Sequence, residues 1–313
     1  MKKLLITLIA SMMLISAYAV SDRPVTIVTN MPVGSGPDLV LRRTADVLSE
    51  QLQRPVLIDN RPGAGGLIAL QYYLTLPANG RTFYYGDSGN FTAMPLMYKK
   101  QDLISEITLL APAYDNYSWA IVTSGQKATV QDFVKSVQSN PKFGSWGVGT
   151  SGHLCGLEIA KHYNLTSVHV PYKTYPEWYV DIANEELSYS CSSVGSAKSM
   201  IDTGRLRVLA VTGTSRNPLY PATPTIQEAL GIKNFKNRSG WLAFFINKNT
   251  DPEQAKVLEK ELRQALQSKS VTDAITGVYS RPITSSNIEF NRVIEADYKN
   301  YVDMIREFAI SFD

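Results

Sequence analysis

Hydrophobic and polar positions repeat along the chain with two different periods, and these predict strands and helices in regular succession. Short runs rich in β-branched and aromatic residues predict strands at Val25–Thr29, Val56–Ile58, Thr82–Tyr85, Trp119–Val122, Val168–Val170, Val208–Val211 and Leu242–Ile246. Longer runs with apolar residues three and four apart predict helices at Leu39–Gln53, Val130–Gln138, Leu154–Tyr163, Tyr175–Asn184, Ala197–Thr203, Pro252–Gln267 and Asn287–Phe308. Such alternation predicts an α/β fold with mainly parallel sheets flanked by helices.

Two polar turns indicate where the chain crosses between two lobes. One turn, Thr123–Gly125, ends the predicted strand at Trp119–Val122, and the other, Asn237–Gly240, precedes the strand at Leu242–Ile246. We therefore predict one lobe from residues 20–121 plus 241–313 and a second lobe from residues 122–240. In such a layout a ligand binds at the carboxyl ends of strands, in the cleft between the lobes.

Residues 1–19 predict a signal peptide rather than part of the folded core. Lys2 and Lys3 precede the apolar run Leu4–Ile15, and Ala17-Tyr18-Ala19 forms a small-x-small cleavage site. We therefore expect export to the periplasm, with cleavage after about Ala19.

Charge and cysteine content narrow the classes of function. The 31 basic residues include Lys2 and Lys3, so cleavage leaves 29 against 28 acidic residues, a net charge of about +1. The basic residues are scattered rather than arranged in a stripe, which argues against nucleic-acid binding. Cys155 and Cys191 either form a disulfide, which export permits, or remain buried thiols, and the sequence leaves both possibilities open.

The glycine-rich loop Met31–Asp38 (MPVGSGPD) leads from the first predicted strand into the first predicted helix. A helix start has unpaired N–H groups and partial positive charge, and glycine leaves room for an anion to approach them. The loop predicts either a seat for a carboxylate or a tight turn that binds nothing. Asp38 is expected to cap the helix, and the candidate ligand-binding residues of the loop are Met31, Val33, Gly34, Ser35 and Gly36.

A second helix start, in the stretch Gly144–Leu154, has the same glycine- and hydroxyl-rich character. Two such starts facing one cleft could hold both ends of a dicarboxylate, or one carboxylate from both sides, through charge-assisted N–H bonds. Further candidate ligand-binding residues at predicted strand ends and helix starts are Asp87, Ser88, Asn90, Thr150, Ser151, His153, Tyr172 and Ser192.

Three other kinds of chemistry are less well supported. The stretch Gly86–Asn90 imitates a serine-protease nucleophile motif, but no histidine has a companion motif that would make it the base. His153 and Cys155 are too few for a metal site. Gly34-Ser35-Gly36 lacks the third glycine of a dinucleotide fingerprint, because Leu39 occupies that place. We therefore predict no catalytic residue, no metal and no cofactor.

Six motifs in order resemble those of periplasmic solute-binding proteins of the tripartite tricarboxylate transporter type, the Bug-type receptors. They lie at Asn30–Asp38, Asp59–Gly66, Ala78–Phe83, Gly147–Gly156, His169–Lys173 and Gly204–Thr212. The resemblance extends over essentially the whole mature chain. The resemblance implies a two-lobed Venus-flytrap protein that is not an enzyme. It also implies that backbone amides and ordered waters of the first loop and of the Gly147–Gly156 helix start hold a small carboxylate, which is presented to a membrane permease.

The chain departs from the family pattern around the expected pocket. Met31 replaces an aromatic residue, Val33 replaces a proline, and Ser192 stands where an acidic residue is usual. Small residues that follow the His169–Lys173 motif in the family are replaced, and the region now carries Thr174, Tyr175, Trp178 and Tyr179. Fewer acids and more aromatics predict a ligand other than an amino acid, with an aromatic or bulkier carboxylate as the hypothesis.

The sequence therefore predicts a monomeric extracytoplasmic receptor that captures a small organic carboxylate for a tripartite tricarboxylate-type transporter. Two alternatives stay open. One is a secreted α/β hydrolase that uses Ser88 or Ser151, and the other is a ligand-sensing receptor that is not coupled to transport.

Overall fold

The computed structural model describes residues 23–127, 129–172, 175–236 and 239–310. The predicted signal peptide, Lys173, Thr174, the side chain of Tyr175 and the first two residues of the predicted turn Asn237–Gly240 lie outside what is described. The strands are β1 Val25–Thr29, β2 Val56–Asn60, β3 Thr82–Asp87, β4 Ile107–Asp115, β5 Ala120–Ser124, β6 Lys142–Ser145, β7 Val168–Pro171, β8 Tyr189–Ser192, β9 Leu206–Val211, β10 Trp241–Asn247 and β11 Arg281–Pro282.

The helices follow the strands in alternation, and a 3-10 turn lies at Ala64–Gly66. They are α1 Gly36–Leu52, α2 Leu67–Leu74, α3 Ser88–Phe91, α4 Ala93–Met97, α5 Gln101–Ile104, α6 Val130–Ser139, α7 Ser151–His162, α8 Tyr175–Ala183, α9 Val194–Asp202, α10 Ile226–Leu230, α11 Pro252–Gln267, α12 Lys269–Gly277 and α13 Asn287–Glu307. Among the described residues, none of these helices has both the length and the apolar character needed to cross a membrane.

The first sheet has the strand order β11-β4-β10-β3-β1-β2. Alternate residues of its strands face opposite sides, so β3 sends Phe83 and Tyr85 into one core and Tyr84 into another. Leu41 of α1 and Leu262 of α11 belong to the first of these cores. The sheet is thus covered by helices on both faces, as the predicted α/β class requires.

The second sheet has the strand order β7-β6-β8-β5-β9. Its core on one face includes Phe133 of α6 and Ile159 of α7, and Trp178 of α8 is buried on the other. A disulfide joins Cys155 in α7 to Cys191 in β8, with the Cα atoms 6.2 Å apart. Of the two possibilities that the sequence left open, the structure therefore contains the disulfide.

The strands β5 and β10 run antiparallel to their neighbours within sheets that are mainly parallel, as predicted. β1 pairs in parallel with β2 and β3, and β6 pairs in parallel with β7 and β8. By contrast, β10 is antiparallel to β3 and β4, and β5 is antiparallel to β8 and β9. The chain leaves each sheet at the carboxyl edge of its parallel strands and enters the other sheet at the same edge, so the entering strand runs backwards.

Two crossover segments, residues 116–119 and 212–240, connect the sheets side by side. Asn116 and Gly240 are joined by a backbone bond of 3.1 Å and by a bond of 2.7 Å from the Gly240 N–H to Asn116 Oδ1. The Thr212 N–H donates to the Trp119 carbonyl at 2.9 Å. The lobe limits at 121/122 and 240/241 stay a prediction, while β5 itself begins at Ala120.

The last long helix, α13, packs against elements of the first sheet's lobe and against a helix of the second sheet's lobe. Phe290, near its start, lies in a core of the first sheet. Near its end, Tyr301 and Met304 are buried with Ala93 of α4 and Leu154 of α7. The helix therefore extends from the first lobe across to the second.

Candidate ligand site between the two sheets

Two helix starts from different sheets converge at the crossover edge. A Cβ on Gly36, which opens α1, would lie 3.3 Å from Cγ1 of Val278. A Cβ on Gly195, in the first turn of α9, would lie 2.9 Å from the carbonyl oxygen of the same Val278. The expectation that the start of α7 faces the first loop stays a prediction, while the start of α9 lies close to that loop through Val278. The signal that could have found this was Ser193, which precedes α9 as its N-cap residue.

The first loop is closed by its own carboxylate. Ser35 is the N-cap of α1, so the prediction that Asp38 caps the helix is corrected. The Asp38 side chain instead reaches back and accepts the Gly34 N–H at 2.8 Å. The same carboxylate accepts bonds from Arg42 Nε at 2.9 Å and from Asn60 Nδ2 at 2.8 Å.

This network changes what the loop offers a ligand. Burial disfavours the charged form of Asp38, but hydrogen bonds from Arg42, Gly34 and Asn60 outweigh it and hold the pKa below its ordinary value. The Gly34 N–H is therefore already paired with a carboxylate. Gly36 keeps a first-turn N–H for which the described part of the chain supplies no acceptor.

The two departures from the family pattern in this loop have different environments. The Met31 side chain is buried in the core beneath the loop. The side chain therefore packs the core, as an aromatic residue there would also do, and its predicted ligand contact stays a prediction. Val33 is 71% exposed, so its side chain is available at the surface of the loop.

Of the candidate residues at the end of β3, one forms bonds inside the first lobe and another lies beside the crossover. Asn90 accepts a bond from the Tyr84 hydroxyl at 2.8 Å and donates to the Gly65 carbonyl at 2.8 Å, so both ends of its side chain are used inside the lobe. Asn90 therefore has a structural role in the first lobe, and its predicted ligand contact stays a prediction. Ser88, by contrast, has its Oγ 3.3 Å from the position that a Cβ on Gly240 would occupy, beside the crossover.

Asp87 caps the short helix α3 by accepting the Asn90 N–H at 3.2 Å. Burial raises the pKa of its carboxyl, and bonds from the N–H groups of Asn90 and Gly89 and from the Asn30 side chain partly oppose this. The group is thus a buried acid that is turned towards N–H donors of its own loop.

The start of α7 is held by its own polar side chains and by α13. Thr150 donates to the Gly147 carbonyl at 2.8 Å, and His153 Nδ1 accepts the Gly149 N–H at 3.0 Å. The hydroxyl of Ser151 forms a hydrogen bond with the hydroxyl of Tyr301 in α13. These three candidate residues therefore shape the loop and bind it to the other lobe.

A pair of histidines supports this loop from below, and sequence reasoning missed it. The rings of His153 and His169 lie 4.2 Å apart, and His169 Nε2 is 2.7 Å from Ser145 Oγ. Burial lowers the pKa of His153 to about 4. Burial, with a smaller effect of His153, lowers the pKa of His169 to about 3. Both rings are therefore neutral at neutral pH, and His169 supports the loop through its bond to Ser145.

The remaining candidates, Tyr172 and Ser192, are engaged within the second lobe. The Tyr172 hydroxyl donates to Asp181, and Ser192 Oγ accepts the Tyr179 hydroxyl at 3.0 Å. Trp178 and Tyr179 are buried in the core on that side of the sheet. Ser192, which stands where an acid is usual, is thus the partner of Tyr179, and the side chains of Trp178 and Tyr179 are both buried.

Comparison with known proteins agrees with this architecture. Residues 40–310 match the family described as tripartite tricarboxylate transporter family receptor. The chain belongs to this family. A UPF0065 protein of Bordetella pertussis is 27% identical over 295 residues, which cover 92% of this chain and 90% of that protein.

Solved structures give the same result at the level of the fold. The chain is similar to R. palustris Rpa4515 with adipate, at 25% identity and a TM-score of 0.81, covering 91% of this chain and 97% of that one. The periplasmic binding protein BugD is 20% identical, with a TM-score of 0.80 and coverage of 93% and 99%. The predicted Bug-type membership and two-lobed fold are confirmed, and the family is one of transporter receptors.

Proposed function

We propose that this receptor captures a small organic carboxylate between its two sheets and delivers it to the permease subunits of a tripartite membrane transporter. The observation that carries the proposal is the convergence of the α1 and α9 starts on Val278. The start of each helix contributes partial positive charge and N–H groups, which suit an anion, and Val278 lies between the two starts. The adipate in the structure of Rpa4515, a relative at 25% identity, supports the ligand class.

Capture requires only binding and a change in the angle between the lobes. The paired crossover segments are the natural hinge, and a ligand that contacts both lobes favours the closed arrangement. The hydrolase alternative loses support because the Ser151 hydroxyl bonds to the phenol of Tyr301, which is not a general base at neutral pH. The protein acts in the periplasm as a monomer in this proposal, and no cofactor takes part.

A ligand panel tests the proposal. We expect straight-chain dicarboxylates to raise the thermal unfolding midpoint, since a ligand that binds only the folded state stabilises it. Native mass spectrometry of the purified protein should show a retained carboxylic acid. The proposal fails if no carboxylate in the panel shifts the midpoint and no acid is retained.

The panel also decides between ligand shapes. The hypothesis of an aromatic ligand rested partly on Trp178 and Tyr179, which are buried in a core. We therefore expect aliphatic dicarboxylates to stabilise the protein more than benzoate or phthalate. Stabilisation by aromatic acids alone would restore the aromatic hypothesis.

A further inference from the structure

Trp119, in the first crossover segment, has a buried indole N–H that no acceptor within the described residues satisfies. Buried donors in folded proteins are nearly always paired, because leaving one unpaired costs its lost hydration. Such a group marks a place where a ligand or a water completes the hydrogen bonding. Two hydrogen bonds to Thr212 fix the backbone of Trp119. The Trp119 N–H donates to Thr212 Oγ1 at 3.0 Å, and the Thr212 N–H donates to the Trp119 carbonyl at 2.9 Å.

The six-membered ring of the Trp119 indole faces Gly240, just before β10. A Cβ on Gly240 would lie 2.7 Å from Trp119 Cζ2, so a side chain at position 240 cannot be accommodated without displacing the ring. Cζ2 is bonded to the carbon that carries Nε1, so the N–H lies on the same edge of the ring. Ser88 Oγ is 3.3 Å from that same Cβ position. The Trp119 ring and the Ser88 hydroxyl, which come from different segments, therefore both lie beside Gly240.

Ser88 is free to use its hydroxyl there. Its carbonyl accepts bonds from Thr92, but within the described chain its Oγ has no hydrogen-bond partner. The neighbouring Asp87 carboxylate is turned towards the N–H groups of Gly89 and Asn90, which reduces its repulsion of a second anion. No cation is needed, because two charge-assisted bonds to one carboxylate are strong on their own.

We propose that the Trp119 indole N–H and the Ser88 hydroxyl together bind a carboxylate group of the ligand at the hinge. The inference rests on the proposed function and adds a second anchor to the α1–α9 start. A ligand with two carboxylates then reaches from that start to the crossover. Because Trp119 lies on the crossover and Ser88 in the first lobe, the bound ligand contacts both the hinge and the first lobe.

The test is an NMR titration of the ¹⁵N-labelled protein with adipate. The indole resonance of Trp119, assigned with Trp119→Phe or by triple-resonance methods if that variant does not fold, is expected to move on titration. The matched control is Trp241, whose indole N–H donates to Asp297 inside the first lobe at 2.7 Å, and its resonance should stay in place. If other resonances move while that of Trp119 does not, the inference is overturned and the proposed function stands.

Affinity measurements separate the two donors. Trp119→Phe and Ser88→Ala should each weaken adipate binding by about tenfold, as expected for the loss of one bond to a charged group. Trp241→Phe should change it less than about twofold, with unfolding midpoints recorded to confirm that each variant is folded. Wild-type affinity in both Trp119→Phe and Ser88→Ala overturns the inference. A wild-type spectrum that no dicarboxylate disturbs contradicts the proposed function, and the inference falls with it.

Discussion

At the scale of single residues, side-chain partners decided what the sequence could predict. The glycine turn before α1 followed from Gly34 and Gly36, but the carboxylate that fills it did not. Asp38 turns back because Arg42 and Asn60 meet it there, and Asn60 arrives from β2. The local sequence pattern does not encode contacts between distant segments, so the sequence could not predict that the Asp38 carboxylate occupies this loop.

Replacing Asp38 should be costly because its carboxylate is buried and accepts several bonds. We expect Asp38→Asn to lower the free energy of unfolding by about 1–3 kcal/mol, the cost of leaving Arg42 and the Gly34 N–H without their anion. Asp46→Asn is the control, since Asp46 pairs with Arg43 on an exposed helix face and should change stability by less than about 1 kcal/mol. Urea unfolding measures both, and equal effects would contradict the account of this loop.

The neutral histidines predict how stability depends on pH. Their folded-state pKa values of about 4 and about 3 lie below the ordinary value of 6.5, so the unfolded chain takes up protons first. Stability should therefore fall as the pH drops below 6.5 and stop falling from this cause below the folded-state values. His169→Gln should reduce that slope relative to wild type in urea unfolding at several pH values.

At the scale of elements, strong local patterns were predicted well and weak ones were missed. α11 runs from Pro252 to Gln267, as predicted, because Asp251 caps it and its apolar stripe is regular. β4, β6 and β8 were not predicted. β4 contains Pro112, at which its pairing with β10 shifts register, and β6 and β8 are four-residue strands with small polar residues. Without β6, Ser145 could not be placed beside His169.

The disulfide should make a large contribution to the second lobe, because it links α7 to β8 across a separation of 36 residues. In the chain-entropy model, closing a loop of this length in the unfolded chain is worth about 4 kcal/mol. We expect a Cys155→Ala/Cys191→Ala double variant to lose about 2–4 kcal/mol of unfolding free energy. Reductant should lower the urea midpoint of the wild type towards that of the variant. If reductant left the urea midpoint of the wild type unchanged, the claim that the disulfide stabilises the folded protein would be contradicted.

At the scale of the whole molecule, α13 links the lobes, which sequence analysis did not predict. Its Tyr301 bonds to Ser151, and its Glu307 forms ion pairs with Lys161 and Lys236. The alternation of strands and helices predicted two α/β lobes correctly. It could not predict which helix would pack across them, because an amphipathic stripe does not specify its partner.

These contacts should favour the closed arrangement of the lobes. We expect Glu307→Gln to weaken carboxylate binding by about two- to fivefold, the range of a solvent-exposed ion-pair network, and to increase the radius of gyration of the unliganded protein in X-ray scattering. High salt should reduce the difference from wild type. Glu253→Gln, which breaks a pair with Lys256 within α11, is the control and should do neither.

The central claim is that a carboxylate is held between the two lobes, and a crystal structure with the most stabilising acid of the panel tests it most directly. The account predicts a ligand carboxylate at the facing starts of α1 and α9, near Gly36 and Gly195, with contacts to both lobes. A ligand bound on the outer surface of one lobe, with the cleft filled only by solvent, would contradict it.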